Sequence, residues 1–113
     1  MNYIYHICQR EAWENALTDK YYNADSLETE GFIHCSIYEQ LQRVANTFFQ
    51  GRKDLVLLVI DPSKVKAEVK WEPAPDILDQ LFPHIFGALN LDAVIRVLDL
   101  ISKPDGSWII PSV

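Results

Sequence analysis

The sequence predicts an α+β fold for one domain spanning residues 1–113. Segments with strand character outnumber helical ones, and most follow one another with no helix between them. A length of 113 residues suffices for one hydrophobic core. A hydrophobic content of 49% belongs to a folded chain and excludes a disordered one.

Each element has its own local reason. "YIYHIC" (3–8) opens as a strand, rich in aromatic and β-branched residues. "QREAWENAL" (9–17) suits a helix with Trp13 and Leu17 on one face at i, i+4 spacing. Residues 18–31 are polar and mixed, which predicts a loop ending at Gly31; "FIHCS" (32–36) then reads as a second, short strand. Ser36 with Glu39 three residues on has the form of a capping box. The helix it predicts, 37–50, lines up Ile37, Leu41, Val44, Ala45, Phe48 and Phe49 on one apolar face, with Gly51 as its stop.

"DLVLLVID" (54–61) is a buried strand closed by Pro62, and "KVKAEVKW" (64–71) alternates as a strand with one face in water. "EPAPD" (72–76) breaks the chain. "ILDQLF" (77–82) reads as a short helical turn and "PHIFGALNL" (83–91) as an irregular segment, in which Gly87 and Asn90 shape the backbone and Asn90 can N-cap "LDAV". "AVIRVLDLI" (93–101) is the next strand. "KPDG" (103–106) has Pro and Gly where a turn places them, and "SWIIP" returns as a hairpin arm.

The totals exclude several functions. A net charge of −6, with Arg10, Arg43, Arg52 and Arg96 scattered singly, makes no footprint for duplex nucleic acid, although one or two local cations suffice for a small anion. The longest apolar run, "LVLLVI", falls far short of the roughly 20 residues that span a bilayer, so no membrane partner is expected. The start "MNYIYHICQRE" lacks a basic segment leading into an apolar one, so a cytoplasmic location is expected. Cys8 and Cys35 are too few for a disulfide framework and read as small buried hydrophobes.

The titratable residues that could carry chemistry are His6, His34, His84 and Glu72. Strand alternation puts His6 on the face of Ile4 and Cys8, and His34 on the face of Phe32 and Ser36. If those two strands neighbour one another, both rings can enter one crevice, at strand ends leading into helices, where open sheets build ligand sites. A histidine in a strand is also a common structural hydrogen-bonding residue, and that reading stands beside the first. Zinc is not expected: His34 and Cys35 are consecutive in a strand and point to opposite faces, and no CxxC or HxxxH spacing occurs. No G-x-S-x-G elbow marks a serine nucleophile, and a buried free cysteine is the usual fate of Cys8 or Cys35. Glu72, at a strand end beside Trp71, can accept a sugar hydroxyl in a half-apolar cleft or simply be solvated before Pro73.

Together "YIYHI", "GFIHCS", Val69-Lys70-Trp71-Glu72 (a partial match) and "FPHIFGALNLDAV" resemble domain-of-unknown-function family 952 over nearly the whole chain. The resemblance implies an ADP-ribosyltransferase-like fold, a small split β-structure with two main helices and a cleft that takes NAD. It implies that His6 contacts a ribose hydroxyl and that His34 lies near the nicotinamide or phosphates. Glu72 matches the acidic residue that steers the attacking group, while His84 belongs to the family motif and has no counterpart in the wider group. The implied chemistry breaks the nicotinamide–ribose bond, with a carboxylate and ribose hydrogen bonds stabilising the oxocarbenium-like charge and Tyr5, Phe32 or Trp71 stacking on the ring.

The expectation is thus a nucleotide cleft for NAD or an ADP-ribose-like ligand, in an ADP-ribosyl- or phosphotransferase-type enzyme. His6, His34 and Glu72 are the catalytic candidates; His6, His34, Trp71 and His84 are the ligand-binding ones. The alternative is a non-catalytic domain that binds a small metabolite or contacts a partner through the same cleft.

Overall fold

A computed structural model describes residues 2–74 and 77–113. The apolar run that reads most plainly as a buried strand becomes the centre of the fold: β4 (Leu55–Ile60) has every residue buried. Its neighbours are β1 (Ile4–Gln9) and β8 (Val94–Asp99), both antiparallel to it, in the order β1-β4-β8. Because alternate residues of a strand face opposite ways, this sheet serves two apolar clusters. Ile4, Cys8, Val56, Leu58 and Ile60 pack on one side with α1 (Arg10–Asp19), while Tyr5, Ile7, Leu55, Leu57 and Val59 pack on the other against α3 (Leu41–Phe48).

A second antiparallel sheet has the order β3-β6-β5, from β3 (Ile33–His34), β6 (Ile77–Phe86) and β5 (Glu68–Ala74). Two-stranded pairs complete the fold: β2 (Tyr21–Tyr22) with β7 (Leu89–Asn90), and β9 (Ile101–Ser102) with β10 (Trp108–Ile109). The result is a mixed domain of several antiparallel sheets and few helices, as the α+β expectation has it.

Several local expectations give way to tertiary pairing. The segment 77–82 is strand, not a helical turn, and 83–86 continues it; a window of six residues is too short to distinguish a helix from a strand by period, and the partner β5 decides. The break expected at 72–76 is absent from Glu72, Pro73 and Ala74, which belong to β5, while Pro75 and Asp76 lie outside the described residues. The polar stretch 18–31 contains β2 and a short helix, α2 (Ser26–Thr29), rather than loop alone. The Ser36–Glu39 capping box does not form. Ser36 is held by Tyr5 in a backbone bridge, so the chain turns one residue later through a 3-10 turn at Tyr38–Gln40, and the Gln40 carboxamide accepts the Ile37 N–H at 3.0 Å. Asn90 caps nothing with its side chain; it ties the 64–66 loop, accepting from Lys66 N–H and donating to the Lys64 carbonyl.

The turn between β9 and β10 packs on the end of α3. Gly106 has φ +88°, and a Cβ there would sit 3.3 Å from the Gly51 nitrogen, which itself donates to the Gly106 carbonyl at 3.1 Å. Gly106→Ala is therefore expected to cost about 1 kcal/mol and to lower Tm by roughly 5 °C, read by thermal unfolding. An unchanged Tm would show that this turn does not brace the helix end.

Candidate functional site

The two sheets meet at one pair. Tyr5 and Ser36 exchange both backbone hydrogen bonds at 2.8 Å. In an antiparallel ladder the next such pair would be Ile7 with His34. It does not form. The His6 ring takes the place instead, its Nδ1 lying 2.5 Å from the His34 carbonyl oxygen. Because even-numbered residues of β1 bond β4, as Arg10 N–H to the Asp54 carbonyl continues to show, the N–H and C=O of Ile7 face away from β4 into the split. A cavity of about 430 Å³ opens there, within the range of roughly 300–1,000 Å³ for small-ligand sites. Tyr5, His6, Ile7, Glu30, His34 and His84 are among the residues lining it, as are Val44, Phe48, Phe49 and Arg52.

His6 is 8% exposed, and both of its ring nitrogens are engaged within the protein. A carbonyl only accepts, so Nδ1 carries the proton and Nε2 accepts from the Tyr22 hydroxyl at 2.7 Å. Burial, which penalises the charged ring, lowers the His6 pKa to about 4, and the bond to the His34 carbonyl opposes this only in part. Burial also raises both thiols, Cys8 to about 11 and Cys35 further, so neither is a nucleophile near neutrality.

His34 and His84 stand opposite one another across β3 and β6, with ring centroids 5.3 Å apart. Each is oriented by a glutamate. His34 Nε2 donates to Glu30 at 2.8 Å, and His84 Nδ1 donates to Glu72 at 3.0 Å. In the neutral rings this leaves lone pairs on His34 Nδ1 and His84 Nε2. His84 is 1% exposed, Phe32 stacks on it at 4.1 Å, and its Nε2 is buried without any hydrogen-bond partner. Such an orphaned atom costs stability and requires an explanation in terms of function or a missing partner. The His84 pKa is lowered, chiefly by burial, with Glu72 acting in the other direction.

Of the residues singled out in the sequence, the structure brings His6, His34 and His84 to one cavity and ties Glu72 to His84. Trp71 alternates to the other face of β5, opposite Pro83, and stands 50% exposed outside the cavity lining. Glu30, Tyr22, Arg52 and the Ile7 main chain were not anticipated. Glu30 alone had a signal, a carboxylate four residues before His34. Among the described residues no group of three or more His, Cys, Asp or Glu is placed to hold a metal ion, and no helix is long and apolar enough to cross a membrane.

Residues 7–97 match the family described as "Protein of unknown function (DUF952)", and the chain belongs to that family. The chain is similar to protein CC0527 from Caulobacter crescentus. Its X-ray crystal structure superposes with a TM-score of 0.85 at 31% identity, covering 95% of this chain and 93% of that one. The solution NMR structure of CC0527 gives a TM-score of 0.79 at 32% identity, over 93% of this chain and 90% of that one. No curated protein matches the chain.

Proposed function

We propose that the cavity at the split binds a ribonucleotide of the NAD or ADP-ribose kind and that the chain is an ADP-ribosyl-transfer type of enzyme with an ADP-ribosyltransferase-like fold. One observation carries the reading: two imidazoles, each oriented by its own glutamate, converge on a cavity that also receives the unpaired main chain of Ile7. Two lone pairs on rings 5.3 Å apart suit the two hydroxyl donors of a ribose 2′,3′-diol. An edge N–H and C=O of one residue suit the acceptor and donor of a carboxamide.

In the transfer, the nicotinamide–ribose bond breaks and the electron pair leaves on the nicotinamide nitrogen. An acceptor hydroxyl forms the new C–O bond and gives its proton to solvent, because the free nitrogens of His34 and His84 are taken by the ribose diol. His6 enters as the group that holds the His34 backbone, since both of its nitrogens are already bonded. That sealed ring also favours a second reading, a binding domain with no turnover.

Titration of labelled protein with NAD, ADP-ribose and nicotinamide, followed by two-dimensional NMR, tests the first point. Shifts are expected at Ile7, His34 and His84, at micromolar to millimolar ligand. No shift at millimolar ligand would remove the nucleotide reading. Shifts without release of nicotinamide in the presence of hydroxyl acceptors would select the binding domain.

A further inference from the structure

The histidines are not the whole of the cavity wall: Val44, Phe48 and Phe49, from α3 and its C-terminal end, and the exposed Arg52 line it as well. Among the described residues lining it, Arg52 is the sole cation, in a chain whose net charge is −6. Glu30, the sole carboxylate among the described lining residues, is already bonded to His34. Arg10 and Arg43 each pair with aspartates, whereas no ion pair of Arg52 occurs among the described residues.

The turn that carries Arg52 is fixed. Arg52 N–H donates to the Phe49 carbonyl at 3.0 Å, and that carbonyl also accepts from the indole N–H of the buried Trp108 at 2.8 Å. Gly51 is held by Gly106, and the guanidinium lies over the Phe49 ring at 6.0 Å. Arg52 thus lines the cavity from a held turn with no carboxylate paired to it among the described residues, which leaves its charge for an anionic ligand to pair.

Resting on the nucleotide reading above, we infer that Arg52 is the anion-recognition residue of this cavity and takes the phosphate of a ligand whose sugar hydroxyls meet His34 and His84. The phosphate is thereby made a requirement for affinity: 5′-phosphorylated ribonucleosides, free or as part of a dinucleotide, bind in preference to unphosphorylated nucleosides. A charge-assisted, forked contact to phosphate is expected to be worth at least about tenfold in affinity.

The test uses three probes, AMP, adenosine and ribose 5-phosphate, titrated by NMR into the wild-type chain and into Arg52→Gln. Arg52 is exposed at the rim, so the variant leaves the core untouched. The expected result is that Arg52→Gln weakens AMP and ribose 5-phosphate by at least about tenfold and leaves adenosine unchanged. AMP binding equally well to both proteins would overturn the role of Arg52 while the nucleotide reading stood. If ribose 5-phosphate binds in an Arg52-dependent way but adenosine does not bind and AMP gains nothing over the sugar phosphate, the anion site stands and the nucleotide reading falls. No shift with any probe overturns both.

Discussion

As pH falls from 6.5 toward 4, the folded state is expected to lose about 3 kcal/mol through His6 alone. The sign follows from the site. Above pH 6.5 the ring is neutral whether the chain is folded or not, and its hydrogen bonds contribute in full. Below 6.5 the unfolded chain takes up a proton, while the buried ring, held at about 4, does not, so the equilibrium moves toward unfolding until the folded pKa is reached. His84, whose pKa burial also lowers, adds loss of the same sign. Urea unfolding across this window would show the midpoint falling steadily in the wild-type chain. In His6→Gln, which keeps a carboxamide to donate to the His34 carbonyl, the slope should shrink to the part due to His84 and other groups. An unchanged slope in that variant would place the acid sensitivity elsewhere. Alanine is the poorer choice, since it leaves the Tyr22 hydroxyl and the His34 carbonyl unpaired and opens a cavity.

What could be read from the sequence follows a physical division. "LVLLVI" is apolar on both faces because β4 is covered on both, and no partner need be known to see that. The faces of β1 were equally legible: Ile4 and Cys8 fall in one cluster, with His6 between them on the same face, and Tyr5 and Ile7 in the other. That His6 and His34 belong to one crevice also follows from alternation once the strands are neighbours. Whether His6 is free to meet a ligand does not, because the answer lies in Tyr22, a residue 16 positions away in a stretch that reads as polar loop. The Ser36 cap failed for a related reason. A serine hydroxyl and a strand bridge compete for the same few atoms of chain, and Tyr5, distant in sequence, decides the outcome. "ILDQLF" is strand because seven residues of β5 lie beside β6, which no window of six residues reveals. Ile7 contributes main chain rather than side chain, so no residue type could mark it, and Trp71 was marked by its aromatic ring although it faces away from the cleft.

The orphaned nitrogen of His84 allows function to be separated from stability in one variant. Replacing His84 by phenylalanine removes a buried acceptor that no group satisfies and keeps a flat ring for Phe32 to stack upon. It also releases Glu72, but that side chain is 41% exposed and water can solvate it. His84→Phe is therefore expected to leave stability unchanged or to raise it by about 1 kcal/mol. The same change deletes one of the two lone pairs offered to the ribose, so ligand shifts at Ile7 and His34 should vanish or weaken by at least about tenfold. A histidine kept for structure behaves in the opposite way: its loss would lower the urea midpoint and leave any ligand affinity intact. Destabilisation by more than about 1 kcal/mol together with unaltered binding would thus assign the Glu72–His84 pair to the fold and remove it from the site. A gain in stability at the cost of binding would mean that the unpaired nitrogen is maintained at the expense of the fold for the sake of a ligand.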